Sequence, residues 1–186
     1  MSDDRGRIML AIARGAISFR LGNSLPADEG ASWLNEPGAC FVTLTMGGGL
    51  RGCIGSLEPY RSLLNDLKEN ALAAAFRDPR FPPLSRQELE SVRIEVSLLS
   101  PVVPLTFRDE DDAMAQLRPG LDGVILEFGP NRGTFLPQVW EQLPTPRDFL
   151  LHLKRKAGLP SNFWKDGLRL YRYSVDSHRE EPQSRR

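Results

Sequence analysis

A chain of 186 residues is long enough for one sizeable domain with its own core, and 40% apolar with 26% charged residues is globular rather than disordered or fibrous composition. Twenty-four basic residues cancel 24 acidic ones, which argues against attraction of the whole molecule to nucleic acid or to an anionic membrane and leaves only a local patch to consider. Twenty of the bases are Arg and four are Lys, a bias that genomic base composition explains as well as carboxylate or phosphate recognition does. The acidic start Ser2-Asp3-Asp4 lacks the basic and apolar regions of an export signal, and no run nears the roughly 18 apolar residues that span a bilayer. Two cysteines, Cys40 and Cys53, imply no disulfide framework and suit a reducing compartment, so a soluble cytoplasmic protein with no membrane partner is expected.

Ile8, Ile12, Ala16 and Phe19 recur at helical spacing ahead of Gly22 and predict an amphipathic helix over residues 4–21. Residues 39–46 and 50–55 read as strands of a hairpin joined at Gly47 to Gly49. Leu63, Leu64, Leu67, Ala71, Ala74 and Ala75 mark a helix over 61–77, stopped at Asp78-Pro79. Ser85-Arg86-Gln87-Glu88 matches a capping box and a short turn of helix, and alternation over Val92 to Leu98 predicts a half-buried strand. A third helix over 109–117 begins with four acids, Asp109 to Asp112, favourably placed at its positive end. A second hairpin covers 123–128 and 134–136 around Gly129 to Gly133, and a helix framed by Thr145, Pro146 and Gly158 carries Phe149, Leu150, Leu153 and Ala157. Residues 168–176 predict a last strand and 177–186 a polar, loose tail. Intermixed strands and helices with short hairpins favour an α+β fold, mainly antiparallel sheet with flanking helices, in one domain over 1–176.

Gly47-Gly48-Gly49-Leu50-Arg51-Gly52 satisfies G-x-G-x-x-G in form, but strand-like residues follow where a dinucleotide fingerprint needs a helix N-terminus. No Walker loop, HExxH, G-x-S-x-G elbow or paired CxxC is present, and two cysteines and two histidines far apart predict no metal site; no cofactor is specified. A three-residue loop, Gly47 to Gly49, would pair Met46 with Leu50, Leu44 with Gly52 and Val42 with Ile54. The apolar side chains then share one surface, while Thr43, Thr45, Arg51 and Cys53 share the other; a two-residue loop would mix the sets and is disfavoured. Gly52 and Gly55 flank Cys53 without side chains, as where a ligand or another backbone comes close.

Cys53 reads either as a nucleophile, redox thiol or ligand to a partner's metal, helped toward thiolate by Arg51, or as an inert half-buried residue. Arg51 reads as a site cation or as a solvated strand residue, and Glu95 as an acid/base converging on Arg51 and Cys53 or as the partner of an arginine. Arg77-Asp78-Pro79-Arg80-Phe81-Pro82-Pro83 suits a cleft wall or plain loop closure with a local Asp–Arg pair. His152 with Lys154, Arg155 and Lys156 reads as a polar helix face, with a phosphate or nucleic-acid patch as the alternative; for Tyr171 and Tyr173 packing outweighs base stacking.

Leu50-Arg51-Gly52-Cys53-Ile54-Gly55 resembles the signature of the AMMECR family, known in bacteria and archaea as protein A of the AmmeMemoRadiSam system. Ala74 to Leu84, Ile94 to Ser97, Thr134 to Trp140 and Lys156 to Leu159 continue the resemblance over residues 7–176. It implies an α+β fold with a larger and a smaller lobe around a cleft to which the hexapeptide contributes, and co-occurrence with a Memo-type protein and a radical-SAM enzyme; the family's activity is not established. The leading expectation is an A component binding a small anionic or nucleotide-like ligand through Arg51, Gly52, Gly55, Arg77, Asp78, Arg80 and Gln138. Alternatives are an enzyme modifying RNA bases or a small molecule with Cys53 as nucleophile and Glu95 or His152 as acid/base, and a non-catalytic module that binds a partner protein.

Overall fold

The computed structural model describes residues 2–182, so residues 183–186 of the expected tail lie outside the described residues. The fold is α+β, with four α-helices and two four-stranded antiparallel sheets among the described residues. The chain divides into two compact units, residues 1–99 with 176–186, and residues 100–175.

In the first unit, α1 (Ser2–Arg20) and α2 (Leu63–Phe76) accompany β1 (Cys40–Met46), β2 (Gly49–Gly55), β3 (Val92–Leu99) and β8 (Val175–Arg179), in sheet order β2-β1-β3-β8. Val42, Leu44, Ile94 and Val96 project from one face of this sheet into a core completed by Met9, Ile12, Ala13 and Ile17 of α1 and Leu67, Ala71, Ala74 and Ala75 of α2. The buried stripe of α1 is rotated from the expected one: Met9, Ala13 and Ile17 join Ile12, whereas Phe19 is exposed and lines a surface groove with Leu25 and Pro26. Apolar residues occupy two sides of this helix, and only packing on α2 and β3 selects between them. Ser62 caps α2 by accepting the Asn65 N–H at 3.3 Å, and the helix ends at Arg77 ahead of Asp78-Pro79.

In the second unit, sheet order is β4-β7-β5-β6, formed by β4 (Val103–Pro104), β5 (Gly123–Phe128), β6 (Asn131–Phe135) and β7 (Arg169–Tyr173). Its core is closed by α3 (Glu110–Gln116) and α4 (Pro146–Lys156), with Trp140 stacked on Phe149 at 3.8 Å between ring centroids. Thr145 caps α4 as its sequence predicts, accepting the Asp148 N–H, and Phe149, Leu150 and Leu153 are buried.

Three details depart from expectation. The β5–β6 connection is a two-residue turn at Gly129-Pro130, so β6 starts at Asn131 rather than Thr134, helped by the positive φ of Gly129. The single strand expected over 168–176 is interrupted at Ser174, which exchanges hydrogen bonds with Ser100. Residues 177–179, expected to be loose, belong to β8: Ser177 bonds Ser97 at 2.8 Å, and the Glu180 N–H reaches the Ile94 carbonyl. Polarity did not release the segment because β3 offered it an unpaired edge.

Candidate functional site

Register around the hexapeptide decides what it can do. Val42 faces Ile54, Thr43 faces Cys53 and Leu44 faces Gly52, as expected, but Thr45 then faces Leu50 and Met46 faces Gly49. Arg51 is therefore the extra residue of a β-bulge, and the loop is two residues long rather than three. Gly47 and Gly48 have φ of 60° and 80°, the positive values that a tight hairpin turn demands at both central positions. The bulge corrects the parity that a two-residue loop would otherwise upset.

It also re-aims Arg51. Instead of sharing an open surface with Cys53, this side chain is buried, with the residue 6% exposed. Its Nε and Nη2 donate to the two carboxylate oxygens of Glu88 at 3.0 and 3.1 Å, and Nη2 also donates to the Pro82 carbonyl at 2.9 Å. Glu88 accepts the Ser85 N–H as well, closing the expected capping box, and the Arg51 bonds hold its carboxyl well below the usual range, at about 2. Arg51 is a clamp between the bulge and the loop beyond α2, and the expectation that it stands beside the thiol is corrected.

The glycines need a similar correction. A Cβ on Gly52 would sit 2.1 Å from the Ala74 carbonyl oxygen, and one on Gly55 would sit 2.2 Å from the Phe41 ring. The space left by the missing side chains is filled by α2 and by an aromatic neighbour, so it is the close approach of backbone and ring, not a guest, that requires glycine at both positions.

Cys53 does face a polar row. Cys53, Thr43 and Glu95 are directly opposed on β2, β1 and β3, so their side chains lie in one line across the sheet surface away from the helices. Cys53 Sγ and Thr43 Oγ1 are 3.2 Å apart, and Glu95 Oε2 accepts from Arg179 Nε on β8 at 2.6 Å. At the other end, Asp78 Oδ2 accepts the Cys53 backbone N–H at 3.0 Å, and Arg80 grips both oxygens of Asp78. Arg80 and its own backbone N–H hold the Asp78 carboxyl below the usual range, while the guanidinium also reaches toward the Cys53 carbonyl at 3.4 Å. Burial pushes the Cys53 thiol up; the Thr43 hydrogen bond and the charge of Arg80 oppose that rise, and Asp78 and Glu95 add to it. The protonated thiol is the resting form at neutral pH.

The other expected residues lie on separate elements. Arg77 turns back along α2 to Glu69 at 3.0 Å. Gln138 lies on a 3-10 turn, Pro137–Glu141, in the second unit, and His152 is exposed on α4 with Nδ1 against the Asp148 carbonyl. Lys154, expected on a polar face beside it, is buried against Glu110. Of the row's other members, Thr43 is where the sequence places it, on the Cys53 surface, although no role is read for it there, and Arg179 was missed. Arg179 carried no signal because its strand reads as a tail. Among the described residues no cluster of three or more His, Cys, Asp or Glu could hold a metal ion, and no helix is long and apolar enough to cross a membrane.

The comparisons with known proteins agree with this architecture. The AMMECR1 family model matches residues 10–178. The chain is 40% identical to a Methanothermobacter thermautotrophicus protein over 97% of each chain, and 35% identical to a Methanocaldococcus jannaschii protein over 97% of this chain and 92% of the relative. The crystal structure of an uncharacterized protein from Pyrococcus horikoshii superposes with a TM-score of 0.86 at 30% identity, covering 96% of this chain and 92% of that one. This chain belongs to the AMMECR1 family, whose matched relatives are uncharacterised archaeal and bacterial proteins.

Proposed function

We propose that this protein is a binding component that holds a small anionic or nucleotide-like ligand against the Cys53–Thr43–Glu95 row, beside the Leu50–Gly55 hexapeptide. The observation that carries the reading is the row itself: a thiol, a hydroxyl and a carboxylate aligned across three neighbouring strands and bracketed by Arg80 and Arg179, whose side chains are 55% and 60% exposed. Each guanidinium is oriented by one carboxylate and keeps further N–H donors for an incoming acceptor, which is how arginine presents itself to phosphate or carboxylate groups. Arg51 supports the row from behind and does not touch the ligand. Non-covalent binding is favoured over nucleophilic attack by Cys53, because desolvation opposes the thiolate that such a step requires.

As the partners with which the ligand is handled we propose a Memo-type protein and a radical-SAM enzyme, which the resemblance at the hexapeptide implies. Calorimetry with a panel of nucleoside monophosphates, nucleosides and inorganic phosphate tests the ligand reading. Binding that weakens about tenfold in Arg179→Gln and again in Arg80→Gln, one charge-assisted contact each, supports it. A panel that gives no heat, or a double variant that binds as the unaltered protein does, overturns it.

A further inference from the structure

The geometry points to a second ligand site, independent of the hexapeptide and wholly within the unit of residues 100–175: we propose that the hollow between the chain after β4 and the turn before β7 binds a small molecule combining a planar ring with a phosphate. The hollow has a volume of about 380 Å³, within the range of small-molecule sites. Leu105 extends the β4–β7 pairing by donating its N–H to the Leu170 carbonyl at 2.9 Å. Beyond that bond the two segments part, because Lys165 to Leu168 form a turn around Gly167, whose φ is 92°. The wedge so opened is lined by Phe107, Trp164 and Tyr171 together with Arg108, Lys165 and Arg169.

Its aromatic wall is fixed in advance. The Trp164 ring meets the Phe107 ring at 5.4 Å between centroids, and the Lys154 ammonium sits 5.4 Å from the Trp164 centroid. Lys154 is 2% exposed and is itself held by the half-buried Glu110 and by the Ser161 carbonyl, so a fixed ammonium inside the unit helps to set the position of the indole. A ring stacked on a pre-oriented indole loses less freedom on binding than one that must order its own platform.

The charge of the lining is one-sided. Three cations face one carboxylate, Asp166. Arg108 is engaged with Asp112 at 3.3 Å, and Lys165 rests over the Phe163 ring. Among the described residues no carboxylate pairs with Lys165 or Arg169. Arg169 stands opposite Glu127 in the β5–β7 register without closing an ion pair, so two exposed cations with no bonded carboxylate lie at the mouth of an aromatic hollow and fit a phosphate whose attached ring enters. An extended polynucleotide fits less well, because the molecule as a whole carries no net positive charge to attract one.

The test is a titration of the full chain with AMP, adenosine and inorganic phosphate, followed by the indole N–H signals in two-dimensional NMR, with Trp164 assigned from a Trp164→Phe variant. AMP is expected to move the Trp164 signal, and adenosine to do so about tenfold more weakly. Phosphate alone is expected to leave the signal in place. Lys165→Gln and Arg169→Gln, both exposed positions whose dispersed spectra report a native fold, should each weaken AMP about tenfold, the loss of one phosphate contact. Arg80→Gln should change nothing at this signal, which separates the site from the Cys53 row. The proposal is overturned if saturating AMP leaves Trp164 unmoved, if adenosine binds as well as AMP, or if neither charge removal weakens AMP.

Discussion

Asp66 and Asp78 sit near the two ends of α2, and each uses one carboxylate oxygen to hold the backbone N–H of a cysteine, Cys40 on β1 and Cys53 on β2. The device is the same and the surroundings are opposite. Asp66 is fully buried and also accepts from Ser56 at 2.6 Å, Arg61 at 2.8 Å and Asn70 at 3.0 Å, while burial and the same carboxylate push the Cys40 thiol far up. Asp78 is equally hidden, but its arginine, Arg80, is largely in solvent and the neighbouring thiol lies at a half-open surface. One network is closed except at Arg61, whose side chain is 27% exposed, and serves the fold; the other shows a guanidinium that is 55% exposed.

The comparison can be broken most directly by deleting the sealed carboxylate. Asp66→Ala should cost about 3–5 kcal/mol, because it strands a guanidinium and several buried donors, and chemical denaturation will show it as a lower midpoint. Gly52→Ala should cost about 3 kcal/mol, since the added methyl meets the Ala74 carbonyl rather than a movable side chain. Arg51→Ala should cost about 2 kcal/mol with no restoration by Lys, which cannot form the two-pronged contact with Glu88. If Arg51→Ala were neutral for stability and instead abolished ligand binding, the clamp assigned to it would be wrong.

Smaller effects sharpen the contrast. Because the folded value of Glu88 lies near 2, below its usual 4.5, its contribution to stability is complete above about pH 4.5 and disappears as the pH falls toward 2. Asp78 changes in the same direction. Denaturation midpoints measured across that window should fall less steeply for Glu88→Gln than for the unaltered protein. Smallest of all is a rate: with Cys40 sealed, iodoacetamide on the native protein reads Cys53, which should react more slowly than a free cysteine. Thr43→Val should slow it further by removing the hydrogen bond that favours the thiolate.

Much of this was legible in the residues. Alternation over Val92 to Leu98 identified the buried face of β3, Thr145-Pro146 identified the start of α4, and the family resemblance located the hexapeptide. What escaped was contact between distant segments. Arg51 had been placed on the open face because side chains alternate along a strand, yet one inserted residue was enough to move it. Its partner Glu88 lies 37 residues on, in a capping box that gave no hint of a second duty. The Arg179 partner of Glu95 is 84 residues away, in a segment whose polarity looked like a tail.

Sequence alone therefore determined the elements and the surface that Thr43 and Cys53 share, because helix caps, β-alternation and turn glycines act over a few residues. Tertiary structure decided which glycine faces which neighbour, where the bulge falls, and that the arginine of the hexapeptide is clamped while Arg80 stays exposed. Those outcomes depend on how closely α2 approaches β2 and on carboxylates brought from far along the chain, distances that no local pattern encodes.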